Sequence, residues 1–183
     1  MLLAALAAGG GAGEALRARD AEIRAALPPP GQALAPEVHR RLEAIFSRAV
    51  DANGMAVSAM GARWKALSPG QRKRLLAAFE KRLAQAGAEN LEGYRSAEIE
   101  YRPEAPLPDG RVRIPTRMAS KGEMSEVAYL MRREGSAWRI VDIVVDGVST
   151  VENYRASFAR VIAKEGIEGL IGRLERGAAR PGS

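Results

Sequence analysis

The chain contains no cysteine and a single histidine, and only 5% of its 183 residues are aromatic. Without cysteine there are no disulfides, thiolate nucleophiles or thiolate metal sites; both a reducing and an oxidising compartment remain open. The lone histidine, His39, sits among Arg40, Arg41 and Glu43 on a charged helical stretch. It has no second histidine for a metal pair or a serine triad and reads as a surface residue. No GxxxxGK[ST] segment occurs, and the glycines of Gly9 to Gly13 follow no strand, so no phosphate cradle is expected. Nothing reaches the roughly 18 continuous apolar residues of a membrane span.

What is present fits one domain with a sizeable core. Hydrophobic residues make up 46% of the chain and charged residues 27%, with a net charge of +6. A basic balance attracts nucleic acid, anionic headgroups or acidic proteins at long range. Nucleic-acid binding needs stacking aromatics beside the basic groups. Here Trp64, Trp138, Phe46, Phe79 and Phe158 fall on apolar faces instead, and the run Gln71 to Arg74 reads as a solvated helix face. No nucleic-acid partner is expected. Asp142 and Asp146 could suggest a glycosidase-like pair of carboxylates. Asp146 belongs to a turn, and Asp142 is expected to face solvent or to pair with an arginine, so the chain is not read as an enzyme.

Residues 1–13 open with MLLAALAA and shorten into GGGAGEA, like the tail of a secretory signal and its cleavage zone, but with no basic segment before it. The region is read as an apolar leader, either the remnant of a truncated signal peptide or a leader without a targeting role. A single domain is expected over 14–176, with a disordered tail at 177–183. Glu14 to Leu27 has helical spacing and stops at Pro28-Pro29-Pro30-Gly31. A second helix after Pro36 puts Val38, Leu42, Ile45, Phe46 and Ala49 on one face, and a third covers about Gly54 to Trp64. Ser68 and Pro69 open a long helix to about Leu91. Its stripe is Leu75, Leu76, Phe79, Leu83 and Ala86, with Arg72, Lys73, Arg74, Lys81 and Arg82 facing water.

From Tyr94 the period changes to two. Ala97 to Tyr101, Val112 to Met118, Val127 to Met131 and Trp138 to Val145 read as four strands joined by short turns, an antiparallel meander. Pro115 lacks an N–H, which predicts an edge strand or a bulge there. The fold class is therefore α+β: a four-stranded antiparallel sheet with several helices packed on one face.

The stretch WRIVDIVVDGVSTVENYRASFARVIAKEGIEGLIGRL, from Trp138 to Leu174, runs from an apolar strand through Asp-Gly-Val-Ser and Asn-Tyr-Arg to Gly-Ile-x-Gly-Leu across two short helices. Together with Arg63-Trp64-Lys65-Ala66-Leu67-Ser68-Pro69-Gly70-Gln71-Arg72 and the Phe79 helix leading to Tyr94, it resembles the MlaC family, the toluene-tolerance auxiliary components of ABC transporters. The resemblance covers about residues 37 to 176. Asp51 to Gly61, DANGMAVSAMG, departs from it: relatives often carry a phenylalanine and a basic residue there.

The resemblance implies a periplasmic phospholipid-binding shuttle that needs no cofactor. It would move lipid between an outer-membrane lipoprotein complex and an inner-membrane complex of an MCE-type protein with an ABC transporter, maintaining outer-membrane lipid asymmetry. A carrier of hopanoid or another polycyclic lipid, and a ligand-free adaptor scaffolding an ABC transporter, are the alternative readings. Extracting about 30 methylenes from a bilayer at about 0.8 kcal/mol each needs apolar enclosure on the order of 20 kcal/mol. For such a carrier the curved sheet and the helices on its one face would enclose an apolar cavity walled by Ile99, Tyr101, Val112, Ile114, Met118, Tyr129, Met131, Ile140 and Val144 from strands and Met60, Phe79, Leu83, Phe158 and Ile162 from helices; by periodicity alone the same residues describe an ordinary packed core. Val148 and Tyr154 are placed beside it at the Asp-Gly turn, and Arg155 and Lys164 are headgroup candidates at its mouth.

Overall fold

A computed structural model describes residues 10–29, 32–89, 94–120 and 122–177. The leader Met1 to Gly9, the end of the proline linker and the tail beyond Gly177 lie outside them. The helices are α1 (Ala12–Ala26), α2 (Pro36–Ala49), α3 (Ala52–Met60), α4 (Pro69–Glu89) and α5 (Thr150–Glu175), with a 3-10 segment Gly61–Ala66 between α3 and α4. The strands are β1 (Glu98–Tyr101), β2 (Ala105–Pro106), β3 (Val112–Ser120), β4 (Glu123–Glu134), β5 (Ala137–Val145) and β6 (Val148–Ser149). Fold class and helix order match the sequence reading, and the sheet gains two short strands.

Local signals account for most element boundaries. Ser68 and Gln71 form a reciprocal capping box at the start of α4: Gln71 N donates to Ser68 Oγ (3.2 Å) and Ser68 N to Gln71 Oε1 (2.9 Å). At α3, Asp51 Oδ1 accepts from Gly54 N at 2.7 Å and Oδ2 takes an Arg132 contact at 2.9 Å, so one carboxylate caps the helix and ties it to β4. The departing segment thus has its own anchor. Asp146 and Gly147, both at positive φ (47° and 83°), form the two-residue turn between β5 and β6. In α5, Gly166 (φ 69°, ψ −175°) breaks the helix into the two expected pieces.

The sheet runs β1-β3-β4-β5-β6 with β2 also on β3, antiparallel throughout. Pro115 lies on an inner strand, opposite the break between β1 and β2, where the register shifts by one residue and Pro103 and Glu104 oppose Ile114 alone. Arg102 N donates to Pro115 O at 2.9 Å, and Pro115 has no N–H to return, so β1 stops there and β2 resumes pairing at Ala105. A second bulge is in β5. Leu130 pairs with Asp142 but Met131 with Ile140, leaving Val141 as the extra residue.

That extra residue changes which side chains face the helices. Tyr129 pairs with Ile143 and Val127 with Val145, while Met131 pairs with Ile140. Ile140, Ile143 and Val145 therefore share the helix-facing side, and Val144 points to the opposite face. A strict period of two from Ile140 predicts Val144 on the cavity side; the bulge turns Val144 to the opposite face and brings Ile143 to the helix side.

The apolar interior is split into three clusters. Met55, Met60, Phe79, Tyr154, Phe158 and Leu170 pack where α3, α4 and α5 meet. Leu16, Ile114, Met131 and Ile140 join α1 to the sheet, and Ile23, Leu42 and Ile45 join α1 to α2. A domain of this size ordinarily has one contiguous core. Here space is left between the clusters.

Candidate functional site: a divided apolar cavity

Two partly open apolar cavities occupy that space. The first, about 260 Å3, lies between α2, α4 and β5. Its wall includes Val50, Met55, Leu83, Ala86, Ile143, Val145 and Tyr154. The second, about 210 Å3, lies between α1, α2 and the sheet, against Leu16, Ile23, Ala49, Tyr101, Tyr129 and Ile140. Phe46, Val50, Gly87 and Ile143 belong to both walls. Each alone falls below the roughly 300–1,000 Å3 of a ligand pocket, and the two joined come within that range.

The hollow lies beside the point where the C-terminal end of α2 is pinned to β5. Asp51 N donates to Ile140 O (2.9 Å) and Arg139 Nη1 to Ser47 O (3.2 Å), fixing the end of α2 against β5 through polar contacts. The small residues Ala49, Ala52, Ala84, Ala86 and Gly87 then line the gap without filling it.

The second cavity has one polar wall. Tyr94 Oη donates to Asp20, which also takes Arg24 Nε at 2.8 Å. Arg24 lies over the Tyr94 ring at 5.2 Å and Arg17 over Tyr101 at 4.8 Å. Burial, reinforced by the Asp20 charge, raises the phenol pKa of Tyr94 and Tyr101 well above the usual range and pushes that of Tyr129 up to about 12. All three hydroxyls are neutral at physiological pH. A raised folded-state pKa contributes stability that is fully present below the unfolded value near 10 and is lost as pH rises through the folded one. Base titration is therefore expected to show delayed, cooperative phenolate absorbance, with stability falling from about pH 10 to pH 12. Smooth ionisation of these tyrosines near pH 10 with the fold intact would contradict their placement.

Of the expected wall, Leu83 and Tyr154 line the first cavity and Tyr101, Tyr129 and Ile140 the second. Ile114 borders a more polar cleft with Tyr101 and Glu104. Val112 and Met131 pack in the sheet cluster. Met60, Phe79 and Phe158 are fully buried in solid packing, and Ile162 lies against them. Ile99 and Met118 are half-buried partners on β1 and β3. Val144 faces away from the cavities, and Val148 is 59% exposed on the last hairpin.

The headgroup candidates lie elsewhere on α5. Arg155 donates to Ser58 O (2.9 Å) and pairs with Glu152 (2.7 Å), and Lys164 is exposed. Arg82, expected in water, is only 5% exposed, and with His39 and Glu175 it borders a polar surface hollow. Asp142 is buried rather than solvent-facing or arginine-paired: it accepts from Ser149 Oγ (2.6 Å) and Val151 N (3.1 Å) and so anchors the start of α5. Asp146 accepts from Glu126 N at 2.8 Å. Sequence reasoning missed Phe46, Val50, Gly87, Ile143 and Val145 as cavity residues. A glycine near the end of an otherwise strong helix was the available signal for Gly87.

Among the described residues no group of acidic or histidine side chains is arranged to hold a metal ion, and no helix is long and apolar enough to cross a membrane. The profile of the MlaC protein family matches residues 29–176. The chain belongs to the MlaC family. The intermembrane phospholipid transport system binding protein MlaC of Haemophilus influenzae is 27% identical over 130 residues, 67% of this chain and 59% of that protein. This chain thus spans under two thirds of that MlaC relative. A phospholipid-binding protein from Ralstonia solanacearum, solved in complex with a phospholipid, superposes with a TM-score of 0.80 at 23% identity, covering 95% of this chain and all of that one. The α+β arrangement built above is therefore the fold of a solved protein as well as that of an MlaC family member.

Proposed function

We propose that this protein is a periplasmic phospholipid-binding shuttle of the MlaC family. The observation that carries this reading is the unfilled apolar space between the sheet and α2 and α4, partly open to the outside. A packed interior normally leaves few voids larger than a water molecule, because each void forfeits dispersion contacts. Two adjoining apolar voids are what a carrier of acyl chains requires. Family membership, the printed function of the Haemophilus relative and the lipid held by the Ralstonia protein support the same reading.

The protein's work is enclosure without bond chemistry. Tails enter the dry hollow and the headgroup stays toward water, so exchange with a membrane complex depends on relative affinity. In the cell the cargo would pass between an outer-membrane lipoprotein complex and an inner-membrane complex of an MCE-type protein with an ABC transporter. Native mass spectrometry of the purified protein tests the reading, with phospholipid expected to co-purify. A polycyclic lipid in its place would redirect the substrate class. An empty protein that still binds transporter components would replace the carrier with an adaptor.

A further inference from the structure

Gly87 has no backbone reason to be glycine. It lies inside α4 and is absent from the residues at positive φ, and glycine in a helix is less stable than alanine. Its reason is steric. A Cβ at Gly87 would stand 2.8 Å from both Cε1 and Cζ of Phe46 and 3.0 Å from Cε2, so the aromatic ring rests directly on the bare backbone. Phe46 comes from α2, Gly87 from α4, and both belong to the walls of both cavities. With Val50 and Ile143, the seated ring forms the wall that the two chambers share.

We propose that Phe46, seated on Gly87, is a partition that sets how much acyl chain the protein encloses. With the ring seated, each chamber takes a short length of tail. Rotation of the half-buried ring about its side-chain bonds opens one chamber into the other and admits a longer tail. The residue determines cargo specificity by chain length. This rests on the lipid-carrier reading above.

The experiment loads purified full-length protein from vesicles of mixed short-chain and long-chain phosphatidylglycerol, with retained lipid quantified by native mass spectrometry and folding checked by circular dichroism. Phe46→Ala joins the chambers and is expected to shift retained lipid several-fold toward long chains. Gly87→Ala unseats the ring into a chamber, and long-chain retention is expected to fall several-fold. An unchanged circular dichroism spectrum of Gly87→Ala separates this from loss of fold, since the added Cβ gains helix propensity but crowds the ring. The double variant F46A/G87A should behave like Phe46→Ala alone, since no ring remains to collide; that non-additivity is specific to the contact. If the native protein retains lipid while all three variants keep its chain-length distribution, the partition is overturned and the carrier survives. If the native protein retains no lipid, the carrier reading falls and the partition with it.

Discussion

Replacing Ile143 with tryptophan is expected to lower the protein's co-purifying lipid markedly, while Val148→Trp leaves the lipid content unchanged. Ile143 stands in the wall common to both chambers, so an indole there takes space from each. Displacing about two to three methylenes at about 0.8 kcal/mol apiece removes about 2 kcal/mol of enclosure, about thirtyfold in affinity. Val148 is 59% exposed on the outer hairpin, where added bulk meets water. Quantifying lipid extracted from equal amounts of the two proteins checks the pair. Equal lipid content in both would mean that cargo does not occupy this hollow.

Phe79→Ala is expected to have the largest effect on stability. The ring is fully buried and meets Tyr154 and Phe158 edge to face, at centroid separations of 4.9 and 5.8 Å. Truncating such a ring leaves a void that its neighbours cannot close, at about 3–5 kcal/mol. With a urea dependence of about 2 kcal/mol per molar, the unfolding midpoint should drop by about 2 M. Phe46→Ala should cost less, because that half-buried ring already borders empty space and has fewer partner atoms to lose. An equal loss in the two variants would show that the three-ring cluster is not the mechanical centre of the helical layer. The contrast separates packing aromatics from cavity aromatics.

Those two rings also mark where sequence reasoning worked and where it stopped. Phe79 was assigned to the buried stripe of its helix and to the cavity wall; it occupies the stripe, inside solid packing. Periodicity tells which side of an element is apolar and not whether what it faces is protein or void. The same ambiguity covers Met60, Phe158 and Ile162. In β5 the continuous apolar run Ile143-Val144-Val145 carries no alternation to reveal that a bulge at Val141 has switched its faces. Arg82 was assigned to water by its charge, and the fold buries it beside the C-terminal end of α5.

The sequence by itself determined the α+β class, the order of helices and main strands, the Ser68 cap, the Asp146-Gly147 turn and the family, because each depends on short-range geometry or on motif order along the chain. Only the tertiary structure decided that the core is three clusters, that Ile143 and Phe46 line the hollow, and that Gly87 exists to seat a ring. Those depend on the distance between elements far apart in sequence. A void is defined by what fails to meet across it, and no local pattern of residues encodes that.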